Sequence, residues 1–248
     1  MSRVFTIAKY EFKMQFGKVG FWLILIIATA LALIDNFPSA ANLNRLPQLI
    51  KQGYVVSRLL PQPGVILLFG FVFLIANQIC GDVKKGIDEI FMVKPLSRSQ
   101  YVFGKFFGNF IFVILLFVIY LAINGFAQAV WTPGNFVVYP YIIAFICVII
   151  PASIFVVGCS LAFPILIDIR FFYALFSTYF MWNLIITPDG DKLPFYLLLS
   201  GDLTKLLYNY GLAEPSSFKI LFNAAFLVIT GILSLLLLLP LGRFWREK

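Results

Sequence analysis

A long uncharged stretch in the middle of the chain restricts its fold more than any other feature of the sequence. No Asp, Glu, Lys or Arg occurs from residue 106 to residue 167. A helix that crosses a bilayer needs about 20 residues, so the stretch is too long for one such helix and suits two. Residues 131–135, with the sequence WTPGN, supply a turn between them. The sequence therefore predicts two consecutive membrane spans here.

The composition of the whole chain also indicates a membrane protein. Of the 248 residues, 61% are hydrophobic and 12% are charged, whereas a soluble domain has about 25% charged residues. A water-soluble sphere of this size could not bury so much apolar surface, but lipid solvates it directly. Six spans of about 20 residues would use about half of the chain. The remainder suffices only for loops and short helices, so we expect one membrane domain over residues 1–248.

Uncharged runs predict an all-α, polytopic fold with six transmembrane helices. The predicted spans cover residues 19–34, 59–81, two segments within 106–167, 171–188 and 220–242. Pro61, Pro63 and Gly64 mark the outer entry of the second span. Lys and Arg are concentrated in the terminal segments and in residues 81–105, which the positive-inside rule assigns to the cytoplasm. We therefore expect a multi-pass protein of the plasma membrane with both termini in the cytoplasm.

Residues 1–18 predict an N-terminal interfacial helix. Its apolar stripe at helical spacing consists of Phe5, Ala8, Phe12 and Phe16. Lys9 and Lys13 flank that stripe, so the aromatic rings could enter the acyl boundary while the ammonium groups face lipid phosphates. A basic leader without stable helical structure is the alternative interpretation.

The segment 189–219, predicted to lie on the outer side, is unusually apolar for a loop. Its sequence includes LPFYLLL at 193–199 and further apolar residues at helical spacing. Exposing that surface to water would be costly. We expect one or two short re-entrant helices, because backbone at membrane depth is tolerated when protein packs around it.

The sequence contains no ordinary catalytic or metal-binding pattern. The chain has no His, which excludes His-based metal sites and His-dependent general base chemistry. Residues 81–88 have the glycine spacing of a nucleotide phosphate loop, but Ile87 and Asp88 occupy the positions that require Lys and Ser or Thr. We expect no enzyme activity, no metal and no cofactor in this chain. The basic residues adjoin apolar spans rather than forming a patch, so we expect no nucleic-acid partner.

The densest group of charged residues lies at 81–105, between the second and third predicted spans. Mixed charges around Ile87, Ile90 and Phe91 predict a short amphipathic helix that ends at Pro95. Ser97 is a candidate cap for the helix that follows. A helix of this kind suits docking into a groove of another protein, with a plain solvated loop as the alternative. Because the predicted membrane cores are uncharged, ion coupling lacks its usual groups, and we expect a partner to supply energy.

This segment resembles the type-2 ABC transporter permeases. That family carries an acid, then Gly-Thr-x-Glu, apolar residues, Pro-x-Ser-Arg and a later Gly-Lys between its second and third spans. The matching positions are Asp82, Gly86, Glu89, Ile90, Pro95, Ser97, Arg98, Gly104 and Lys105. Ile87 replaces the usual Thr, and Asp82 replaces the commoner Glu. The layout of the whole chain is also similar: a leading interfacial helix, six spans and an apolar outer segment.

The resemblance implies that residues 81–105 form a coupling helix held by a separate cytoplasmic ATP-binding cassette ATPase. ATP and Mg would then bind to that partner rather than to this chain. The expected contacts with the partner are Asp82, Gly86, Asp88, Glu89, Phe91, Pro95 and Arg98. A second permease subunit, identical or related, would complete the translocation path within the membrane lipid.

Uncharged polar residues inside the spans are candidates for that path. The candidates are Asn77, Asn109, Asn124, Asn183 and Asn223. Such groups more often join helices to one another than bind a substrate. The family's cargoes imply export of a drug, a peptide or another amphiphile.

Two other functions stay open at this stage. One is an ATP-independent secondary transporter or channel, and the other is a scaffold or assembly factor that transports nothing. Retention of a cytoplasmic ATPase through residues 84–105 would separate the permease from both alternatives.

Overall fold

The structure is a computed structural model that describes residues 2–36, 39, 48–84, 96–131, 136–185 and 217–240. These residues are almost entirely helical and include no strand, which confirms the all-α fold class. The predicted re-entrant helices at 189–219 lie outside the described residues. Five residues of the predicted coupling helix also lie outside the described residues: Gly86, Asp88, Glu89, Phe91 and Pro95.

The described residues form ten α-helices, several of which join end to end. They are α1 (Ser2–Phe16), α2 (Val19–Leu31), α3 (Gln48–Leu59), α4 (Val65–Ile75), α5 (Asn77–Lys84), α6 (Arg98–Trp131), α7 (Tyr139–Ala144), α8 (Ile150–Leu166), α9 (Ile169–Ile185) and α10 (Ser217–Leu237). π-helical turns at Ala32–Asn36, Leu60–Gly64 and Phe145–Ile149 extend or connect them.

Three helical segments are long and apolar enough to cross a membrane. They are Gln62–Val83, Arg98–Trp131 and Tyr139–Leu166. A fourth crossing is possible if Arg3–Phe16 and Val19–Ile34, which are bent by 64°, act as one unit. Length and composition of the described helices thus support three or four crossings and a membrane protein.

The second apolar span, Gln62–Val83, lies close to the predicted residues 59–81. The sequence did not predict α3 (Gln48–Leu59), which precedes that span and leads into it through the turn at Leu60–Gly64. Val55 and Val56 of α3 are fully buried. Pro63 does not end the helix, because the π-helical turn accommodates it.

The segments α2, α4–α5 and α6 run in alternating directions. Gly20 of α2 lies against Leu74, and Ile24 lies against Gly70, so α2 and α4 are antiparallel. The α4–α5 segment is likewise antiparallel to α6, since the ring of Phe71 contacts that of Phe117 and Gln78 contacts Asn109 further toward the N-terminus of α6. These three segments therefore pack side by side, each directed opposite to the one before it in the chain.

Helix α9 packs antiparallel to α4, whereas α10 packs parallel to α8. Phe73 stacks on Tyr173 and Phe69 contacts Phe180, so α9 is antiparallel to α4. Along α8 and α10 the contacts advance together, from Gly231 beside Phe155 to Ser234 beside Cys159. Helix α10 is therefore parallel to α8.

Helix α8 lies at the centre of the bundle, and almost all of its residues from Pro151 to Ala162 are buried. A Cβ atom on Gly158 would lie 2.4 Å from the carbonyl oxygen of Gly231. The backbones of α8 and α10 thus touch directly, as small residues permit in membrane helix pairs.

The outer faces of the bundle are apolar. Exposed side chains include Ile26 on α2, Phe171 and Leu175 on α9, and Leu221 and Leu233 on α10. Soluble monomers rarely expose contiguous apolar surface on this scale. Lipid solvates such faces, in agreement with the predicted membrane location.

Candidate functional site

The N-terminus of α6 is fixed by a reciprocal cap. The Ser97 hydroxyl accepts a hydrogen bond from the backbone N–H of Gln100 at 3.3 Å, and the Gln100 side chain accepts one from the Ser97 N–H at 3.2 Å. This is a capping box, and it confirms the predicted role of Ser97. Because the cap sets where α6 starts, it also sets which side chains of its first turns face the bundle.

One of those side chains, Lys105, forms a buried ion pair with the preceding helix. Its Nζ lies 2.6 Å from Oδ2 of Asp82 on α5, and only 6% of the lysine side chain is exposed. The Tyr101 hydroxyl donates a second hydrogen bond to the same oxygen at 2.7 Å. Two contacts therefore join α5 to α6 immediately beside the segment 85–95 that connects them.

A second carboxylate approaches Lys105 from α1. Oε2 of Glu11 lies 3.5 Å from the Lys105 Nζ, and its side chain is 7% exposed. The Gln15 amide donates a hydrogen bond to the other Glu11 oxygen at 2.7 Å. One ammonium group thus lies between carboxylates of two different helices. We call Glu11, Asp82, Tyr101 and Lys105 the ionic cluster.

A neutral pair extends the cluster by one turn. Gln78 on α5 and Asn109 on α6 exchange two hydrogen bonds at 2.9 Å and 2.8 Å. The Asn109 amide also donates to the carbonyl oxygen of Lys105 at 2.8 Å. The two helices that flank residues 85–95 are therefore tied together at three successive turns of α6.

Two glycines allow α1 to reach the ionic cluster. A Cβ on Gly104 would lie 2.6 Å from the side chain of Ile7, and one on Gly108 would lie 2.7 Å from the carbonyl oxygen of Ala8. This four-residue spacing of small residues permits close backbone approach. Helix α1 thus packs on α6 with Glu11 directed toward Lys105.

This packing corrects the predicted membrane-facing stripe of α1 at one residue. Of Phe5, Ala8, Phe12 and Phe16, Ala8 is buried against α6, whereas Phe5 and Phe16 are 72% and 49% exposed. The buried face instead carries Ala8 with Glu11 and Gln15. Hydrophobicity alone could not predict the burial of Glu11, because the charge that compensates it belongs to Lys105 on another helix.

Lys18, at the bend between α1 and α2, belongs to the same electrostatic environment. Burial lowers the pKa of Lys18; Glu11 opposes that shift, Lys105 adds to it, and Asp82 opposes it more weakly. The charges of the cluster therefore affect the pKa of Lys18, although Lys18 forms none of the cluster's ion pairs.

The opposite end of α6 carries a second polar group, which is neutral. The Tyr120 hydroxyl donates to the carbonyl oxygen of Leu59 at 2.6 Å, and the Asn124 amide donates to the Tyr120 carbonyl oxygen at 2.8 Å. One turn further, the Tyr141 hydroxyl donates to Gln128 at 2.7 Å. We call Tyr120, Asn124, Gln128 and Tyr141 the neutral cluster. Among the described residues, Oδ1 of Asn124 is buried without a hydrogen-bond partner.

The predicted path residues occupy different surroundings. Asn77 is exposed, whereas Asn109 and Asn124 are buried on α6 about 22 Å apart by helical rise. Asn183 is buried and donates to the carbonyl oxygen of Tyr179 at 2.8 Å, and Asn223 on α10 is also buried. Asn109 and Asn124 therefore belong to separate clusters rather than to one site.

Of the predicted partner contacts, the structure describes two. Arg98 is the first residue of α6 and is partly exposed. Asp82 is 23% exposed and is already paired with Lys105 inside the chain. Sequence reasoning missed Glu11 and Gln15 as partners of this region. The spacing of Gly104 and Gly108 was the available signal, because it indicates a closely packed helix.

The cluster can hold charge and position helices, but the described residues include no group of three or more His, Cys, Asp or Glu side chains that could hold a metal ion. No protein-family model and no curated protein matches this chain. Function must therefore be argued from the arrangement of these residues.

Proposed function

We propose that this chain is the membrane-spanning permease subunit of an ATP-driven ABC exporter. It forms the translocation path with a second permease subunit, and separate cytoplasmic ATP-binding cassette subunits hydrolyse ATP. The cargo is a drug, a peptide or another amphiphile. The proposal starts from the resemblance of residues 82–105 to the family motif, and one structural observation carries it further.

That observation is the contact of Asp82 on α5 with Tyr101 and Lys105 on α6, which we call the stem. Asp82 is bound to Tyr101 and Lys105, so the helix that enters the segment 85–95 is held to the helix that leaves it. A displacement applied to the segment would move both helices together instead of separating them. Helix α6 then continues for 34 residues, about 51 Å at helical rise. A displacement of the N-terminal end of α6 can therefore be transmitted along the helix to its C-terminal end.

The helix directions support the proposed six crossings with both termini on one side. Apolar segments at α2, α4–α5, α6, α7–α8, α9 and α10 run alternately up and down. Helix α9, with 17 residues, is short for a bilayer of about 30 Å, whereas the 21 residues of α10 span about 32 Å at helical rise. In the proposal, flanking residues of the neighbouring segments complete the crossing of α9.

Charge reversal in the segment 85–95 tests the docking step. Asp88→Lys combined with Glu89→Lys is expected to abolish retention of the ATPase subunit during purification while membrane insertion persists. Arg170→Glu is the matched control, because Arg170 is exposed at the turn between α8 and α9, outside the segment 85–95. Unchanged retention and unchanged ATP-driven transport in the double variant would refute the docking.

A secondary transporter or channel is the second candidate, and the ionic cluster is the observation that favours it. Ion-coupled transport uses charged groups within the helical bundle, and Lys105 with its two carboxylates is such a group. Transport by the purified chain in liposomes with an ion or pH gradient and no nucleotide would support this candidate. Strict dependence on the ATPase subunit would exclude it.

A further inference from the structure

We infer that Lys105 is a positioning residue that couples α1 to the movement of α5 and α6. When the stem shifts, α1 shifts with it and transmits the displacement to α2. The inference rests on the proposed function, because the motion is driven by the ATPase. It adds an element that docking of the segment does not require. Three observations carry it.

The first observation is that Lys105 has more partners than charge pairing needs. Asp82 alone would neutralise the ammonium group at 2.6 Å. Glu11 adds a second carboxylate from a helix distant in sequence, and it is the only acidic residue of α1. If α1 separated from α6, Glu11 would lose its cation and Lys105 would lose one of two anions. The docked position is therefore favoured by charge as well as by packing.

The second observation is the close contact between the α1 and α6 backbones. Gly108 lies so near Ala8 and Glu11 that even a methyl group would overlap them. Side chains that interlock at this distance do not slide gradually past one another. A shift of the first turns of α6 must therefore carry α1 with it or break the Glu11–Lys105 contact.

The third observation is a bonded connection from α1 to α2. The indole N–H of Trp22 donates to the carbonyl oxygen of Phe16 at 2.9 Å, and the two rings pack edge to face at 5.1 Å. Phe112 of α6 contacts both rings and also that of Phe21. The 64° bend between the helices is thus braced on both sides, and movement of α1 reaches the first apolar helix.

Glu11→Gln is the primary test, because it removes the charge and nearly preserves the shape. Lys9→Gln is its matched control, since Lys9 is exposed on the same helix. Hydrogen exchange of the full chain in lipid nanodiscs reports the docking of α1. We expect amides of α1 to exchange about 5- to 30-fold faster in the Glu11→Gln variant, as for the loss of one or two kcal/mol of local stability. Lys9→Gln should leave exchange unchanged.

The second readout is ATP-driven transport in the reconstituted complex, expressed as cargo moved per ATP hydrolysed. Glu11→Gln is expected to lower that ratio while the ATPase subunit stays bound. A merely structural role would not change the ratio at equal amounts of folded complex. Lys105→Met should act in the same direction, and Glu11→Gln keeps the test decisive if Lys105→Met fails to fold.

Two results would overturn the inference. One is unchanged exchange of α1 in the Glu11→Gln variant, and the other is faster exchange with an unchanged ratio of transport to hydrolysis. Failure of the proposed function looks different, because the wild-type chain would then bind no ATPase and show no nucleotide-dependent transport. The inference would be supported by faster exchange of α1 and a lowered ratio of transport to hydrolysis in Glu11→Gln, with neither change in Lys9→Gln.

Discussion

The two ends of α6 carry buried polar side chains at the same spacing but with different chemistry. At its N-terminal end, Tyr101 and Lys105 contribute to the ionic cluster, which joins three helices through charge. At the other end, Tyr120, Asn124 and Gln128 contribute to the neutral cluster, in which hydrogen bonds between uncharged groups join the described residues. Buried Phe112, Leu116 and other apolar residues separate the two.

The difference shows how strongly each end depends on its partners. Removing one member of a buried ion pair leaves an uncompensated charge, which costs far more than losing a neutral hydrogen bond. The ionic end is therefore stable in one arrangement of α1, α5 and α6. We expect the neutral end to tolerate substitution more easily. The predictions below test this contrast, in order of decreasing effect.

The largest effect is expected from Lys105→Met. The substitution leaves the carboxylates of Glu11 and Asp82 facing one another without a cation, and we expect a loss of about 3–5 kcal/mol in the free energy of unfolding. A denaturant titration in detergent micelles measures it. Lys13→Met, on the exposed face of α1, should change the value little. An equally small loss for Lys105→Met would contradict the predicted dependence of the ionic end on its buried cation.

Glycine substitutions compare packing at the two ends. Gly108→Ala places a methyl group 2.7 Å from the carbonyl oxygen of Ala8, whereas Gly125→Ala places one 3.4 Å from the ring of Phe136. We expect a loss of about 1–3 kcal/mol for the first, as for overpacking. The second should be tolerated because an aromatic edge can shift by a few tenths of an ångström. The same titration measures both, and equal losses would contradict the contrast.

Tyr120→Phe is expected to have a smaller effect at the neutral end. It removes the hydroxyl that donates to the Leu59 carbonyl oxygen at 2.6 Å, and a net hydrogen bond contributes about 1 kcal/mol. Tyr139→Phe serves as the control, because Tyr139 is exposed. A loss for Tyr120→Phe comparable with that of Lys105→Met would remove the distinction between the ends.

The smallest effect is expected from Asn124→Leu. One polar atom of this buried amide already lacks a partner among the described residues, so an apolar side chain of similar size loses little. We expect a change within about 0.5 kcal/mol, as is usual when a poorly satisfied polar group is replaced. Asn109→Leu is the informative comparison, because it would remove the two hydrogen bonds that the buried Gln78 shares with Asn109. A larger loss of stability for Asn124→Leu than for Asn109→Leu would contradict the distinction between the two clusters.

The sequence predicted features that depend on local patterns. The uncharged stretch 106–167 indicated two long apolar helices, and the structure has them at Arg98–Trp131 and Tyr139–Leu166. The Ser97 cap was also predictable, because a cap depends on residues only three positions apart. Local reasoning worked wherever the decisive partners are close in sequence.

Features that depend on distant partners could not be predicted in this way. Glu11 is buried because Lys105 lies against it, and nothing near residue 11 announces that pairing. Helix α3 was missed because Pro63 and Gly64 indicate a boundary, although a π-helical turn joins α3 to the apolar span that follows. Both cases concern interactions or backbone adjustments that tertiary packing stabilises.

The central claim is that the ionic end of α6 faces the cytosol and transmits movement from a bound ATPase. Asp88→Cys, in a chain whose Cys80, Cys147 and Cys159 are replaced by alanine, allows a direct measurement with a membrane-impermeant maleimide and a thiol cross-linker. The account predicts no labelling from outside intact cells, labelling in inverted vesicles, and a cross-link to the ATPase subunit. Labelling of residue 88 from outside intact cells would contradict it.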